Sequence, residues 1–182
     1  MSHNSFVMEL SDAIQLIQTD RLILPVPSTW ADLGCGSGRF TFALAHLLSR
    51  QSTIYAVDKS PVRLDPPSTI PPVEIKTLQL DFVAKDLPWK GLNGILMANS
   101  LHYVRDKNVL IDRLSKTLQP DGQFLIVEYD TDTPVPQWVP YPVGFSKLQQ
   151  IFAEAGYPVV KHLGEHPSAF GRSNLYAALI SR

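Results

Sequence analysis

The stretch ADLGCGSG, residues 31–38, places glycine at every second position: Gly34, Gly36 and Gly38. Asp32 stands two positions ahead of the first glycine, and Cys35, the only cysteine, lies between the first two. Glycines in such a run permit a tight turn and let a ligand approach the backbone without meeting a Cβ. A dinucleotide fingerprint has the spacing G-x-G-x-x-G; here Arg39 occupies the place of its third glycine. An acid at the mouth of the loop repels a pyrophosphate and attracts a cation. The pattern suits a nucleoside bearing an amine or a sulfonium better than one bearing phosphates.

Two more acids fit the same ligand. Asp58 follows Gly38 by 20 residues, and an acid at the end of a second strand can accept both ribose hydroxyls. Asp81, followed by Phe82, could accept from an adenine amine while the ring packs on the base. Further along, NSLHYV (99–104) carries His102 and Tyr103. His102 could be a base, a hydrogen-bond donor to substrate or a structural residue, and Tyr103 fits a pocket wall. Glu128, Tyr129 and Asp130 end a later strand and face the same region; Asp130 and Asp132 also fit the start of a solvated loop. Trp138 and Tyr141, among prolines, could cover an apolar substrate or cap the core. A helix N-terminus beside Cys35 could lower its thiol pKa, though a small residue tolerated in the loop is the simpler account. His162 and His166 lie on a strand and its turn, where positions four apart do not converge, and no cysteine joins them, so no metal is expected.

These residues need elements to hold them. Val7, Leu10, Ile14 and Ile17 have helical spacing, and Pro25 and Pro27 end that segment. Strands are expected at Thr29–Leu33, Ser52–Asp58, Val73–Asp81, Gly94–Asn99 and Gln123–Asp130. Helices are expected over Ser37–Ser49, over Asp106–Leu118 with a stripe of Val109, Leu110, Leu114 and Leu118, and over Ser146–Ala155, capped by Ser146 and closed by Gly156. QPDG (119–122) has the composition of a turn. YPVVKHL and NLYAALIS complete the set as strands able to pair around GEHPSAFGRS. Strands alternating with helices imply an α/β, doubly wound, mainly parallel sheet with helices on both faces. A Pro-rich stretch, 60–72, replaces the helix expected between the second and third strands, and another, 132–144, follows the fifth.

The chain has 182 residues, 45% of them apolar, which is enough for one core. The expected division is a short helical extension, 1–28, ahead of one domain, 29–182. Sixteen Lys and Arg against 17 Asp and Glu leave no basic excess to attract nucleic acid. No apolar run approaches the roughly 18 residues of a membrane span, and no secretory signal opens the sequence. A cytoplasmic monomer or homodimer is expected, with no nucleic-acid or membrane partner.

In order along the chain, ADLGCGSG, AVDKSP, LQLDF, GILMANSLHYVRD and LQPDGQFLIVEYD resemble the motifs of class I, Rossmann-like S-adenosylmethionine-dependent methyltransferases. The resemblance runs from about Thr29 to Ser181 and implies seven strands, the last antiparallel. It further implies that Asp32 lies near the methionine amino group, that Gly34, Gly36 and Gly38 supply backbone, and that Asp58, with Lys59 beside it, holds the ribose. Asp81 and Phe82 would meet the adenine, and Asn99 and Ser100 the methionine part. His102 and Tyr103 are the candidates for the chemistry. No N/D-P-P-Y/F follows the fourth strand and no Pro-Cys pair occurs, which argues against methylation of DNA bases. A small-molecule acceptor remains. The alternatives are a non-catalytic protein of the same fold, binding the cofactor or a partner, and a nicotinamide-dependent oxidoreductase, which Arg39 and Asp32 disfavour.

Overall fold

A computed structural model describes residues 8–23, 25–168 and 173–182. Val7 of the first helical stripe and residues 169–172 of the last loop lie outside them. The elements are α1 (Leu10–Ile17), β1 (Thr29–Leu33), α2 (Arg39–Leu47), β2 (Thr53–Asp58), β3 (Glu74–Gln79), β4 (Leu92–Ala98), a 3-10 turn (Leu101–Tyr103), α3 (Lys107–Ser115), β5 (Leu118–Tyr129), α4 (Phe145–Glu154), β6 (Val159–His166) and β7 (Leu175–Ser181).

The sheet has seven strands in the order β3-β2-β1-β4-β5-β7-β6. β1 pairs in parallel with β2 on one side and β4 on the other, Asp32 lying between Ala56 and Leu96. β7 enters antiparallel between β5 and β6. The expected fold class is therefore present, hairpin included. α1 and α2 cover one face through Ala13, Ile17, Ala43 and Leu44 around Trp30. α3 and α4 cover the other through Leu110, Leu114, Leu148 and Phe152. Short apolar stretches bounded by loops become strands buried on both faces, as parallel sheets require.

Residues 59–73 between β2 and β3 contain no helix, as their prolines imply. The segment after β3 shields the nearby face of β2 instead: Trp89 stacks on Tyr55 with centroids 3.9 Å apart. Arg113 of α3 secures it by donating to the Phe82 and Val83 carbonyls at 2.5 and 2.8 Å.

Several local expectations change. QPDG turns as its composition implies, but inside β5: Leu118 pairs with Leu92 and Gln123 with Gly94, and between them the chain folds back until a Cβ on Gly122 would sit 2.8 Å from the Leu118 Cβ. α3 stops at Ser115 because the Thr117 backbone and hydroxyl both take the Leu114 carbonyl, at 2.9 and 2.7 Å. Leu118 thus belongs to β5, and Val109 is 66% exposed; the buried stripe is Lys107, Leu110, Ile111 and Leu114. Gly144, not Ser146, is the N-cap of α4. Its free amides are met from outside, Gly144 N–H by Asp132 at 2.9 Å and Phe145 N–H by Asp130 at 2.8 Å, so neither acid merely opens a solvated loop. β6 continues through His166, putting both histidines on one strand.

Gly94 in β4 lies flat against the Trp30 indole, and a Cβ there would collide with the ring. Gly94→Ala forces a buried tryptophan to move, and a loss of roughly 1–3 kcal/mol is expected, read as a lower midpoint in urea unfolding.

Candidate functional site

The chain leaves β1 and β4, neighbours in the sheet, toward elements on opposite sides, and the crevice beyond their carboxyl ends is where ligands bind in open α/β sheets. Gly34, Gly36 and Gly38 line it with φ of +81°, +53° and +91°. A Cβ on Gly34 would sit 2.5 Å from the Ser100 Cβ, whereas one on Gly36 would meet nothing within 4 Å. The first contact explains why that position is glycine. The second shows an open space above the loop. The Gly34 and Cys35 amides donate to the Val57 carbonyl at 2.8 and 3.0 Å, and Gly36 N–H donates to Asp58 Oδ2 at 3.1 Å. Asp58 also takes Ser60 N–H at 2.9 Å, so it shapes the loop while lone pairs remain for a ligand.

Asp32 lies under the loop, 1% exposed. Thr41, in the first turn of α2, donates to Oδ2 at 2.5 Å, and Oδ1 is buried with no partner. Burial pushes this carboxyl up to about 7, opposed by the Thr41 hydrogen bond and reinforced by Asp58. The Cys35 thiol is driven the same way, to about 12, by burial and then by the charges of Asp32 and Asp58. The direction is opposite to a lowered thiol pKa, with burial its main cause.

Across the crevice, Ser100 Oγ donates to the Leu33 carbonyl at 2.6 Å. Asn99 holds a left-handed φ of +54°, and its Oδ1 is buried and unpartnered. Phe82 is buried, its ring 3.9 Å from where a Gly34 Cβ would stand. Asp81 lies two residues past β3, exposed, taking the Val83 and Ala84 amides through Oδ1. Lys59 is exposed, its carbonyl held by the Gln79 amide at 3.1 Å. The Pro-rich segment after β2 folds back over the glycines: Asp65 N–H donates to Ser37 O at 2.8 Å, and Leu64 closes on Gly38.

The 3-10 turn carries His102 and Tyr103. His102 Nδ1 is 2.7 Å from Glu128 Oε2, and its backbone N–H donates to Glu128 Oε1 at 3.0 Å. Tyr103 is 53% exposed and lies over the imidazole with centroids 4.3 Å apart. The second Pro-rich segment reaches the same turn, Tyr141 N–H donating to the His102 carbonyl at 3.0 Å. Lys107 clasps the two together through the Val104 and Tyr141 carbonyls at 2.8 and 2.7 Å. Burial lowers this ammonium to about 8, against the pull of Glu128 and with the push of Lys147. Trp138 and Tyr141 are exposed rather than capping the core.

A family model described as a methyltransferase domain matches residues 6–180. The chain belongs to the class I S-adenosylmethionine-dependent methyltransferases. Its curated relatives include the O-methyltransferase cnsE of Penicillium expansum, 25% identical over 142 residues, 71% of this chain and 51% of that protein. An uncharacterised methyltransferase of Mycobacterium tuberculosis is 28% identical over 101 residues, 55% of this chain and 50% of the other. This chain thus spans about half the length of the curated relatives it matches. In fold it is similar to the Burkholderia thailandensis 1,6-didemethyltoxoflavin-N1-methyltransferase, solved with 1,6-didemethyltoxoflavin and S-adenosylhomocysteine bound. That likeness has a TM-score of 0.66 at 19% identity and covers 94% of this chain and 77% of the other.

For a methyltransferase cofactor, which carries an ammonium and a sulfonium, the residues present fit. The unpartnered Asp32 Oδ1 and Asn99 Oδ1 are acceptors, and the space above Gly36 is open. The motifs pointed to the glycine loop and its acids, and the structure gathers Asp32, Asp58, Phe82, Asn99 and Ser100 around it. His102 and Tyr103 join through Ser100, two residues earlier. Thr41, Lys107 and the Leu64–Asp65 strap were missed. Thr41 had a signal, as a polar residue on the buried side of an apolar helix; the others did not.

A carboxyl whose folded pKa is raised holds its proton in the folded chain after the unfolded chain has released it. Its contribution to stability therefore falls as pH climbs from the ordinary 3.8 to about 7. At about 1.4 kcal/mol per pH unit the loss approaches roughly 4 kcal/mol. Asp32→Asn removes it. Urea unfolding without ligand at acid and neutral pH should show the variant gaining on the parent as pH rises; parallel curves would contradict the assignment.

Proposed function

We propose that this chain transfers the S-methyl group of S-adenosylmethionine to a small-molecule acceptor. The observation that carries the reading is the buried Asp32 with one oxygen unpartnered beneath an open glycine loop: an anionic position that a cationic ligand group completes. Asp32 serves the methionine amino end, and Gly34, Gly36 and Gly38 supply backbone. Asp58, with Lys59 beside it, holds the ribose, and Asp81 and Phe82 meet the adenine. Ser100 spends its hydroxyl on Leu33, so it contributes backbone, whereas Asn99 keeps its side-chain oxygen for the ligand.

The bound cofactor supplies an already activated methyl group. The chain's own task is to align the acceptor and keep water out. His102 and Tyr103, in the turn after β4, stand on the acceptor side, and the Pro-rich segment 132–144 forms a wall beside them. The balance of 16 basic against 17 acidic residues favours a small acceptor over nucleic acid. The names of the relatives, an O-methyltransferase and an N1-methyltransferase of a small heterocycle, support the same class. Among the described residues no helix is long and apolar enough to cross a membrane. We place the protein in the cytoplasm, as a monomer or homodimer. Residues 29–182 carry the chemistry, with 1–28 buttressing them through α1.

Calorimetric titration with S-adenosylhomocysteine and with NADH tests the reading. The first should bind and the second should not; the reverse overturns it. Asp58→Ala should weaken binding of S-adenosylhomocysteine by roughly 1–3 kcal/mol, as loss of charge-assisted bonds implies. Transfer of label from S-adenosylmethionine to members of a small-molecule panel completes the test. Binding without any transfer would favour a non-catalytic protein of this fold.

A further inference from the structure

Glu128 gives both oxygens to one residue. Oε1 takes the His102 backbone N–H and Oε2 faces Nδ1, and the two side chains are 1% and 3% exposed. Pinning a turn does not require a buried charge: two residues earlier Ser100 pins the same turn with a hydroxyl. The nearby ammonium does not neutralise Glu128 by direct contact either, because Lys107 donates to the Val104 and Tyr141 carbonyls. A buried carboxylate against an imidazole edge fixes the ring's tautomer through a charge-assisted hydrogen bond and stabilises the ring further when it becomes a cation.

We propose that Glu128 is a positioning residue that holds His102 as a proton acceptor, so that the molecule methylated here carries an O–H or N–H it must lose. The proposal rests on the methyltransferase reading and names its substrate class. An ionised carboxylate only accepts hydrogen bonds, so Nδ1 carries the ring proton and Nε2 keeps a bare lone pair. Nε2 meets no partner among the described residues. Tyr103, half exposed, covers the imidazole, with Tyr129 6.0 Å away between centroids, so a planar acceptor that displaces the Tyr103 ring reaches Nε2. The acceptor heteroatom gives its proton to Nε2 and uses the freed pair for the new bond to carbon. The pair of the carbon–sulfur bond that breaks stays on the departing sulfur. One sulfonium is consumed and one imidazolium appears beside Glu128, so charge balances.

Long-range proton–nitrogen correlation spectra of the full chain read the ring directly, without and with S-adenosylhomocysteine. The expected state is a protonated Nδ1 and a bare Nε2. In Glu128→Gln the amide oxygen keeps the His102 N–H, the NH2 group turns to Nδ1, and the proton moves to Nε2. A proton on Nε2 in the parent, or the parent's tautomer retained in E128Q, overturns the proposal. The parent spectrum needs no variant, cofactor or acceptor, so it decides even where the substitution unfolds the chain or S-adenosylhomocysteine fails to bind. Turnover is read with labelled S-adenosylmethionine on phenols and N–H heteroaromatics, with tertiary amines and thioethers as acceptors that have no proton to lose. E128Q should lower kcat on the first group by about 10²–10⁴-fold, the usual range for a lost general base, with KM and S-adenosylhomocysteine affinity changed only a few-fold. Methylation confined to the second group, or an E128Q kcat within threefold of the parent, overturns it.

Discussion

The hydroxyl of Ser100 donates to the Leu33 carbonyl at 2.6 Å, and the rest of the site takes its dimensions from that bond. β1 and β4 lie side by side, but the chain departs from them in opposite directions, so a crevice opens between their ends. Ser100 bridges it. Gly34 and Ser100 are two halves of one contact, since any side chain at 34 would strike the Ser100 Cβ. Asn99 then bends into the left-handed region, at a cost asparagine tolerates better than most residues. The 3-10 turn that follows carries His102 to Glu128 at the end of β5. The glycine cradle and the imidazole are thus set by neighbouring strands of a rigid sheet.

Asp32, Glu128 and Lys107 are buried about this crevice, and each is handled differently. Asp32 keeps one hydrogen bond and one empty oxygen, so it is costly to ionise until something cationic arrives. Glu128 is satisfied twice by a single residue. Lys107 is satisfied by two backbone carbonyls. Of the three, Asp32 alone leaves a buried oxygen without a partner.

What could be read from the sequence was what repeats in short range. The glycine spacing and the alternation of strand and helix lie within a few residues of the groups they serve, and the acid at 58 was legible from its place at a strand end. The paired final strands were legible for the same reason. The failures are contacts between distant segments. Ser146 looked like a cap, but the amides of α4 are met by Asp132 and Asp130, 12 and 15 residues upstream of the amides they take. A helix terminus beside Cys35 left an acidic thiol as one alternative to a small tolerated residue; burial, with Asp32 and Asp58 nearby, pushes the thiol the other way. Sequence puts Glu128 at a strand end facing the region of His102, but only β4 and β5 lying adjacent shows that both its oxygens go to that one residue.

The tie between the second Pro-rich segment and the 3-10 turn runs through the backbone of residue 141: its N–H goes to His102 and its carbonyl to Lys107. The tyrosine ring is 42% exposed and faces the same Lys107, whose ammonium lies 6.0 Å from the ring centroid. The two backbone bonds hold for any residue that keeps its N–H, and so for any but proline. Position 141 is thus one where the side chain can change while the tie to the imidazole turn stays.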